Sequence, residues 1–86
     1  MSGLVTFEVQ WDKEQGTWCI KKNGRLVQAN IATKYNAESI GRRRAQSWYT
    51  RTGETTELIL KNQDGKIGRG RRSRQTYGHD PRRRKG

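Results

Sequence analysis

Hydrophobic and polar residues alternate near the beginning of the chain. Residues 4–11 read LVTFEVQW, a period of two that is typical of a strand with one buried face. The polar segment DKEQG follows at residues 12–16 and predicts a hairpin loop. The face of this first strand that we expect to enter a core consists of Val5, Phe7, Val9 and Trp11.

Two further strands are predicted within residues 17–32, TWCIKKNGRLVQANIA. The pair Asn23-Gly24 favours a tight hairpin turn, because a type I′ turn needs a positive φ at both central residues. This turn sets a register in which apolar pairs fall on one face and mostly polar pairs on the other. The expected pairs are Lys22 with Arg25, Lys21 with Leu26, Ile20 with Val27, Cys19 with Gln28, and Trp18 with Ala29.

The period changes to that of an amphipathic helix over residues 33–53. Thr33 or Asn36 is the expected N-cap, and Gly53 lies where the helix should end. Gly41, in the middle of the helix, suggests close packing of helix on sheet. The residues at helical spacing are Ala37, Ile40, Gly41, Ala45 and Trp48.

A fourth strand is predicted at residues 55–61, followed by an Asp64-Gly65 turn and a brief return at Lys66-Ile67. The predicted fold is therefore α+β, a small β-β-β-α-β module in which an antiparallel sheet packs on one helix. Residues 1–67 form this module, and residues 68–86 form an arginine-rich C-terminal tail. The predicted core is Val5, Phe7, Val9, Trp11, Trp18, Ile20, Val27, Ala29, Ile31, Ile40, Ala45, Trp48, Leu58 and Leu60.

Charge is distributed unevenly along this chain of 86 residues. It has 19 Lys and Arg against 8 Asp and Glu, a formal net charge of +11. Residues 66–86 hold nine of the basic residues and one of the acidic residues. Such asymmetry favours a polyanionic partner, usually nucleic acid, and less often an acidic protein or an anionic membrane.

No arrangement typical of an enzyme is visible in the sequence. Cys19 is the one cysteine and His79 the one histidine, so neither a disulfide nor a convergent metal site is expected. The glycines match no nucleotide-binding fingerprint. The N-terminus has no pattern of a signal peptide, and no apolar run is long enough to cross a membrane. We expect a cytoplasmic protein, in the nucleoid or in a host cell, with no catalytic activity, no cofactor and no membrane partner.

Three groups of residues are candidates for binding nucleic acid. Arginine dominates the tail, and its guanidinium group suits bidentate contacts with phosphate and guanine. The tail group is Arg69, Arg71, Arg72, Arg74, Arg82, Arg83, Arg84 and Lys85, with Tyr77 between them. The second group, a predicted polar sheet face, is Lys21, Lys22, Arg25, Gln28 and Asn30. The third group, on the helix, is Arg42, Arg43 and Arg51.

Each group also has a plainer interpretation. The tail could serve solubility, and the sheet and helix groups could be ordinary solvated faces. Arg44, closer to the apolar stripe of the helix, would extend to solvent or pair with an acid. Tyr77 could stack on a base or dock onto the sheet, and we expect docking.

Several short motifs resemble an uncharacterised prokaryotic and viral family, domain of unknown function 2188. The motifs are Trp18 in the second strand, Thr33 before the helix, Ala37-Glu38 at its start, LILKNQDGKI after it, and TYGHDP near the end. The resemblance covers most of residues 7–81. It implies that Tyr77, Gly78, Asp80 and Pro81 belong to the folded module, and it implies no activity.

The function expected from the sequence is non-enzymatic binding of nucleic acid, with double-stranded DNA favoured over RNA. The chain would act as a monomer or homodimer, and it could be encoded by a phage or mobile element. Two alternatives remain open at this point. One is a small interaction module or modulator that docks on an acidic partner protein, and the other is a structural component of a ribonucleoprotein or virion.

Overall fold

The structure is a computed structural model that describes residues 4–79. Strands β1, β2 and β3 precede the helix α1, and β4 and β5 follow it. A single 3₁₀ turn, Arg71–Ser73, leads into β5. The bounds are β1 Val5–Asp12, β2 Thr17–Lys22, β3 Arg25–Ile31, α1 Lys34–Thr52, β4 Thr56–Leu60 and β5 Arg74–Tyr77.

The described strands form one five-stranded sheet in the order β3-β2-β1-β4-β5, with α1 packed on one face. The predicted α+β class and the β-β-β-α-β order are confirmed. The prediction of a purely antiparallel sheet was wrong, because β4 pairs with β1 in parallel. The helix carries the chain back across the sheet between β3 and β4, and such a crossover allows parallel pairing.

β5 lies within the segment that the sequence assigned to the tail. It pairs antiparallel with β4, Thr56 opposite Tyr77 and Ile59 opposite Arg74. The expected return after the Asp64-Gly65 turn is one isolated bridge between Lys61 and Ile67.

The hairpin between β2 and β3 follows the predicted register only next to its turn. Asn23 and Gly24 both have positive φ, 51° and 83°. The pairs of Lys22 with Arg25 and Lys21 with Leu26 are confirmed. Farther from the turn the register shifts twice, because β3 contains irregularities of the β-bulge type. The observed pairs there are Ile20 with Gln28 and Trp18 with Ile31, so the three pairs predicted for Ile20, Cys19 and Trp18 were wrong.

The ends of α1 are capped as the sequence predicts. The Thr33 hydroxyl accepts a hydrogen bond from the backbone N–H of Asn36 at 3.1 Å. Gly53 adopts a left-handed conformation with φ 76°, and its N–H donates to the Tyr49 carbonyl at 2.8 Å. These contacts satisfy backbone groups that a helix end otherwise leaves unpaired.

The core lies between α1 and the sheet. Small residues on the helix, Ala37, Gly41 and Ala45, face fully or nearly buried side chains of the sheet such as Val9, Ile20 and Leu58. The Thr56 hydroxyl donates to the Ala45 carbonyl at 2.9 Å and ties β4 to the helix. Trp11, Val27, Ile40, Trp48 and Tyr77 pack against this cluster and are partly buried.

Cys19 of β2 is buried. It lies on the face opposite the helix, but only 5% of it is exposed. Burial raises the pKa of its thiol, while the nearby Lys21 acts in the opposite direction. The thiol therefore stays protonated at neutral pH and is a weak nucleophile.

Within residues 4–79, no helix combines the length and the apolar character needed to cross a membrane.

Replacing Gly41 by alanine should destabilise the fold, although alanine favours helices. A Cβ atom at this position would lie 2.7 Å from Val9 Cγ2 and 3.2 Å from Leu58 Cδ1. Overpacking of a core lowers the free energy of unfolding by about 1–3 kcal/mol. The higher helix propensity of alanine raises it by at most about 1 kcal/mol. We expect Gly41→Ala to lower the free energy of unfolding by up to about 2 kcal/mol in urea denaturation.

The control is Gln46→Ala at an exposed position of the same helix, which should change stability by less than about 0.5 kcal/mol. In a double-mutant cycle, Val9→Ala should reduce the cost of Gly41→Ala, because it removes the contacting methyl group. A Gly41→Ala protein that is more stable than the parent would contradict the close contact.

Candidate functional site

The sheet face opposite α1 carries charges of both signs. Five residues occupy neighbouring positions across the five strands, in the order Leu26, Lys21, Glu8, Ile59 and Arg74. Glu8 forms a salt bridge with Lys61 at 3.5 Å, and Glu57 forms one with Arg74 at 4.0 Å. The acids lie on the central strands, so this face is largely neutralised by its own residues.

The polar sheet face predicted from sequence does not exist as a single surface. Lys21 lies on the face opposite the helix, directly across from Glu8. Lys22 pairs with Phe7 and Gln28 pairs with Ile20, and both partners face the core. Directly opposed residues project to the same side of a sheet. Lys22 and Gln28 are therefore on the helix side, and the prediction that they share a face with Lys21 was wrong.

A cleft opens on the helix side, between the β2–β3 hairpin and the C-terminal half of α1. Its volume is about 490 Å³, within the range of roughly 300–1,000 Å³ found for small-molecule sites. Four of its lining residues are cationic: Lys22, Arg43, Arg44 and Arg51. The others are Phe7, Val27, Ser47 and Trp48. We call this site the basic cleft, and no carboxylate lines it.

Arg44 is held in the basic cleft by a neutral partner. Its Nε and one terminal nitrogen donate to the side-chain oxygen of Gln28 at 3.1 and 3.0 Å, and the same terminal nitrogen lies 3.5 Å from the Val27 carbonyl. An amide oxygen orients the guanidinium group but leaves its positive charge intact. Of the two expectations for Arg44, pairing with an acid is replaced by this contact with an amide.

Trp48 forms the aromatic part of the basic cleft. The Lys22 ammonium lies 3.4 Å from the centre of its ring, and the Arg51 guanidinium carbon lies 5.8 Å away. The indole N–H donates to Glu54 at 3.0 Å, which fixes the orientation of the ring. Cations over an indole face are attracted by its quadrupole. Trp48 therefore positions Lys22 at the mouth of the site.

The basic cleft combines four cations with apolar surface from Phe7, Val27 and Trp48. Among residues 4–79, no salt bridge shorter than 4.0 Å involves Lys22 or the three arginines. Cations that lack acidic partners and lie close together attract anions, above all oxyanions that can accept several N–H groups. The arrangement can bind an anionic ligand that also has an apolar part.

The remaining predicted residues are spread over the molecule. Arg25 is exposed beside the hairpin turn and lines a shallower depression together with Lys22 and Val27. Asn30 is exposed and has a φ of 60° in β3. Arg42 points to the other flank of the helix, where its charge acts on the hydroxyl of Tyr77.

The described basic residues of the tail do not line the basic cleft. They lie in or next to β5, at one edge of the sheet, whereas Lys22 and Arg25 belong to the β2–β3 hairpin at the other edge. The exposed members within the described range are Arg69, Arg71, Arg72 and Arg74. The predicted residues Arg82, Arg83, Arg84 and Lys85 lie outside the described residues.

Sequence reasoning missed Arg44 and Trp48 as members of a site, since both were assigned to packing. One signal was present: Arg44, Trp48 and Arg51 recur at intervals of four and three residues, which places them on one side of a helix. Their proximity to Lys22 is a long-range contact, and periodicity does not report such contacts.

Groups of three or more His, Cys, Asp or Glu residues that could hold a metal ion are absent from the part of the chain that the structure describes.

The sequence profile of a family described as an uncharacterized protein conserved in bacteria, domain of unknown function 2188, matches residues 7–73. The chain belongs to this family. No curated protein and no solved structure matches the chain significantly. All residues that line the basic cleft fall within the range matched by domain of unknown function 2188.

The segment Tyr77-Gly78-His79 follows the matched range and is nevertheless docked on the module. Tyr77 packs against the core, and its hydroxyl lies 3.1 Å from the side-chain oxygen of Gln75. The Thr55 hydroxyl donates to the His79 carbonyl. Burial raises the pKa of Tyr77. The docking predicted for Tyr77 is therefore observed, and the positions expected for Asp80 and Pro81 lie outside the described residues.

Replacing Gly78 by alanine should release β5 from the sheet. Gly78 has a φ of 96°, and a Cβ atom there would lie 2.6 Å from Tyr49 Cε1 and 3.1 Å from the Thr55 hydroxyl. Such backbone strain costs about 1–3 kcal/mol. Trypsin cleaves after Arg74 when β5 has detached from β4, and this strain increases the population of the detached state. The rate of cleavage after Arg74 should therefore rise roughly five- to 150-fold.

Gly70→Ala is the matched control. Gly70 has a φ of −71°, and nothing lies within 4 Å of a Cβ atom placed there. Its cleavage rate should equal that of the parent protein. Equal rates for all three proteins would show that β5 does not depend on the Gly78 conformation.

Proposed function

We propose that this protein binds nucleic acid without catalysing a reaction on it, through contacts with phosphates. The observation that carries the proposal is the basic cleft, in which four cations surround Trp48 and no lining residue is acidic. Arginine and lysine neutralise backbone phosphates, and this electrostatic contribution supplies most of the affinity of non-specific binding.

The charge distribution favours a particular side of the molecule for this contact. On the face opposite the helix, Glu8 and Glu57 would repel phosphates and already pair with Lys61 and Arg74. A polar sheet face inserted into a groove, as the sequence suggested, is therefore not part of the proposal. The helix side, with Arg43, Arg44 and Arg51, is the surface we propose for the nucleic acid.

The end of β5 lies at the same end of the sheet as the turn between β2 and β3. The end of β5 lies beside the start of β4, because Tyr77 pairs with Thr56. The start of β4 adjoins the start of β1, and Thr6 in turn adjoins Asn23 of the hairpin turn. The sequence after His79 continues with Asp80 and the basic run at residues 82–85. In the proposal, these residues supply additional positive charge for contacts with phosphates.

Double-stranded DNA is the polyanion that we propose. It carries about one negative charge per 1.7 Å of helix axis. The longest dimension of the protein is 42 Å, so a duplex of 20 base pairs, about 68 Å long, provides a complete binding site. With about six phosphates neutralised, the slope of log K against log salt concentration should be about −5.

The test is fluorescence anisotropy with a labelled 20-base-pair duplex between 50 and 200 mM salt. We expect affinity to fall by roughly a thousandfold over this range. The double variant Arg43→Gln/Arg51→Gln should weaken binding and reduce the slope by about two. The control Lys13→Gln/Lys66→Gln removes two exposed cations from outside the cleft and should have a smaller effect on affinity.

Two results would count against the proposal. Absence of binding at 50 mM salt would exclude a nucleic-acid-binding function. An equal effect of the two double variants would show that net charge, rather than the basic cleft, determines affinity.

A further inference from the structure

The basic cleft has a property that phosphate binding alone does not use. Its interior includes Phe7, Val27 and the indole face of Trp48. A backbone phosphate is wholly polar and gains nothing from contact with apolar side chains, since its transfer to an apolar environment is unfavourable. The composition of the cleft therefore fits a ligand that joins an anionic group to a flat apolar one.

We infer that the basic cleft binds one unpaired nucleotide, with the base stacked on Trp48 and the phosphate held by the surrounding arginines. This inference rests on the proposed function and specifies the form of nucleic acid that the cleft prefers. In a duplex the bases are stacked and paired and cannot enter a cleft. An unpaired base has an exposed π-face, and stacking on an aromatic side chain requires no particular sequence.

The indole ring is prepared for such a contact. Its N–H donates to Glu54 at 3.0 Å, so the ring orientation is fixed before a ligand arrives. One face of the ring is reached by the Lys22 ammonium at 3.4 Å, and both residues line the basic cleft. This ring face therefore lies within the cleft, and a ligand that enters the cleft reaches the ring once the Lys22 ammonium moves aside.

Lys22 can exchange its contact with the Trp48 ring for a contact with the ligand. A base that stacks on Trp48 replaces the ammonium over the ring, and Lys22 then becomes free to contact the phosphate of the same nucleotide. The cation–π contact at a partly exposed site is weaker than a base–aromatic stack, so the exchange is favourable. Arg44 keeps its orientation throughout, because Gln28 holds it through a separate set of hydrogen bonds.

The size of the cleft agrees with one nucleotide. A volume of about 490 Å³ accommodates a small ligand, whereas a duplex end is too large to enter. Binding of one nucleotide would leave the rest of the nucleic acid on the exposed basic surface, where contacts with phosphates do not depend on the base sequence.

The experiment compares a blunt 20-base-pair duplex with the same duplex carrying five unpaired thymidines, at the 5′ end and separately at the 3′ end. Anisotropy is measured at one salt concentration. We expect at least one of the extended duplexes to bind about five- to 150-fold more tightly than the blunt duplex, the range given by one base–aromatic stack.

Two variants should abolish this advantage, which is measured for each variant as the ratio of its affinities for the extended and the blunt duplex. Trp48→Leu removes the stacking surface and keeps an apolar side chain. Ser47→Phe fills the basic cleft from a half-exposed position of α1 without removing a charge or a core residue. Trp11→Leu is the control, because Trp11 is also partly buried but lies outside the cleft, and it should keep the advantage. Thermal melting establishes whether each variant is folded. If Trp48→Leu is unfolded, the comparison is made with Ser47→Phe alone.

The results distinguish a failure of the unpaired-nucleotide site from a failure of nucleic-acid binding as a whole. Equal affinity for blunt and extended duplexes, or an advantage that survives both cleft variants, overturns the inference and leaves duplex binding standing. Absence of binding to every duplex at low salt overturns both. If the tighter binding of the extended duplex is lost in the cleft variants and kept in Trp11→Leu, the result supports binding of an unpaired nucleotide in the basic cleft.

Discussion

The contact of Gly41 with Val9 and Leu58 determines how close α1 lies to the sheet. A Cβ atom at Gly41 would overlap a methyl group of Val9, so the helix approaches the β1–β4 pair as nearly as a backbone can. The alanines one turn before and one turn after are fully buried in the same interface. Side chains farther along the helix then reach the β2–β3 hairpin. A larger residue at Gly41 would lift the helix and separate Arg44 from Gln28, so packing and the basic cleft depend on the same contact.

The irregular register of β3 is the second constraint on the site. A regular hairpin would place Gln28 opposite Cys19, on the face away from the helix. The β-bulge places Gln28 opposite Ile20 instead, so its amide points to α1 and binds Arg44. Bulges commonly redirect a side chain in this way. The extra residue in β3 turns Gln28 toward the helix, where its side chain accepts hydrogen bonds from Arg44. In a regular β3, Gln28 would face away from the helix and could not make this contact.

Local features of the fold could be predicted from the sequence, and features that depend on distant contacts could not. The Asn23-Gly24 turn, the Thr33 cap and the end of α1 at Gly53 each follow from residues adjacent in the chain. The parallel pairing of β1 with β4 and the addition of β5 join segments far apart, and no short pattern encodes them. Trp48 illustrates the same limit within the site. Its helical spacing indicates that it faces the sheet, but not that it lies beyond the packed centre, next to Lys22.

The position of the acids, more than the number of arginines, determines which surface of the protein keeps an excess of positive charge. A net charge of +11 describes the whole chain and identifies no side of it. Glu8 and Glu57 lie on the central strands and pair with Lys61 and Arg74 on the face away from the helix. Both acids therefore lie away from the helix, and among residues 4–79 no salt bridge involves the four cations that line the basic cleft.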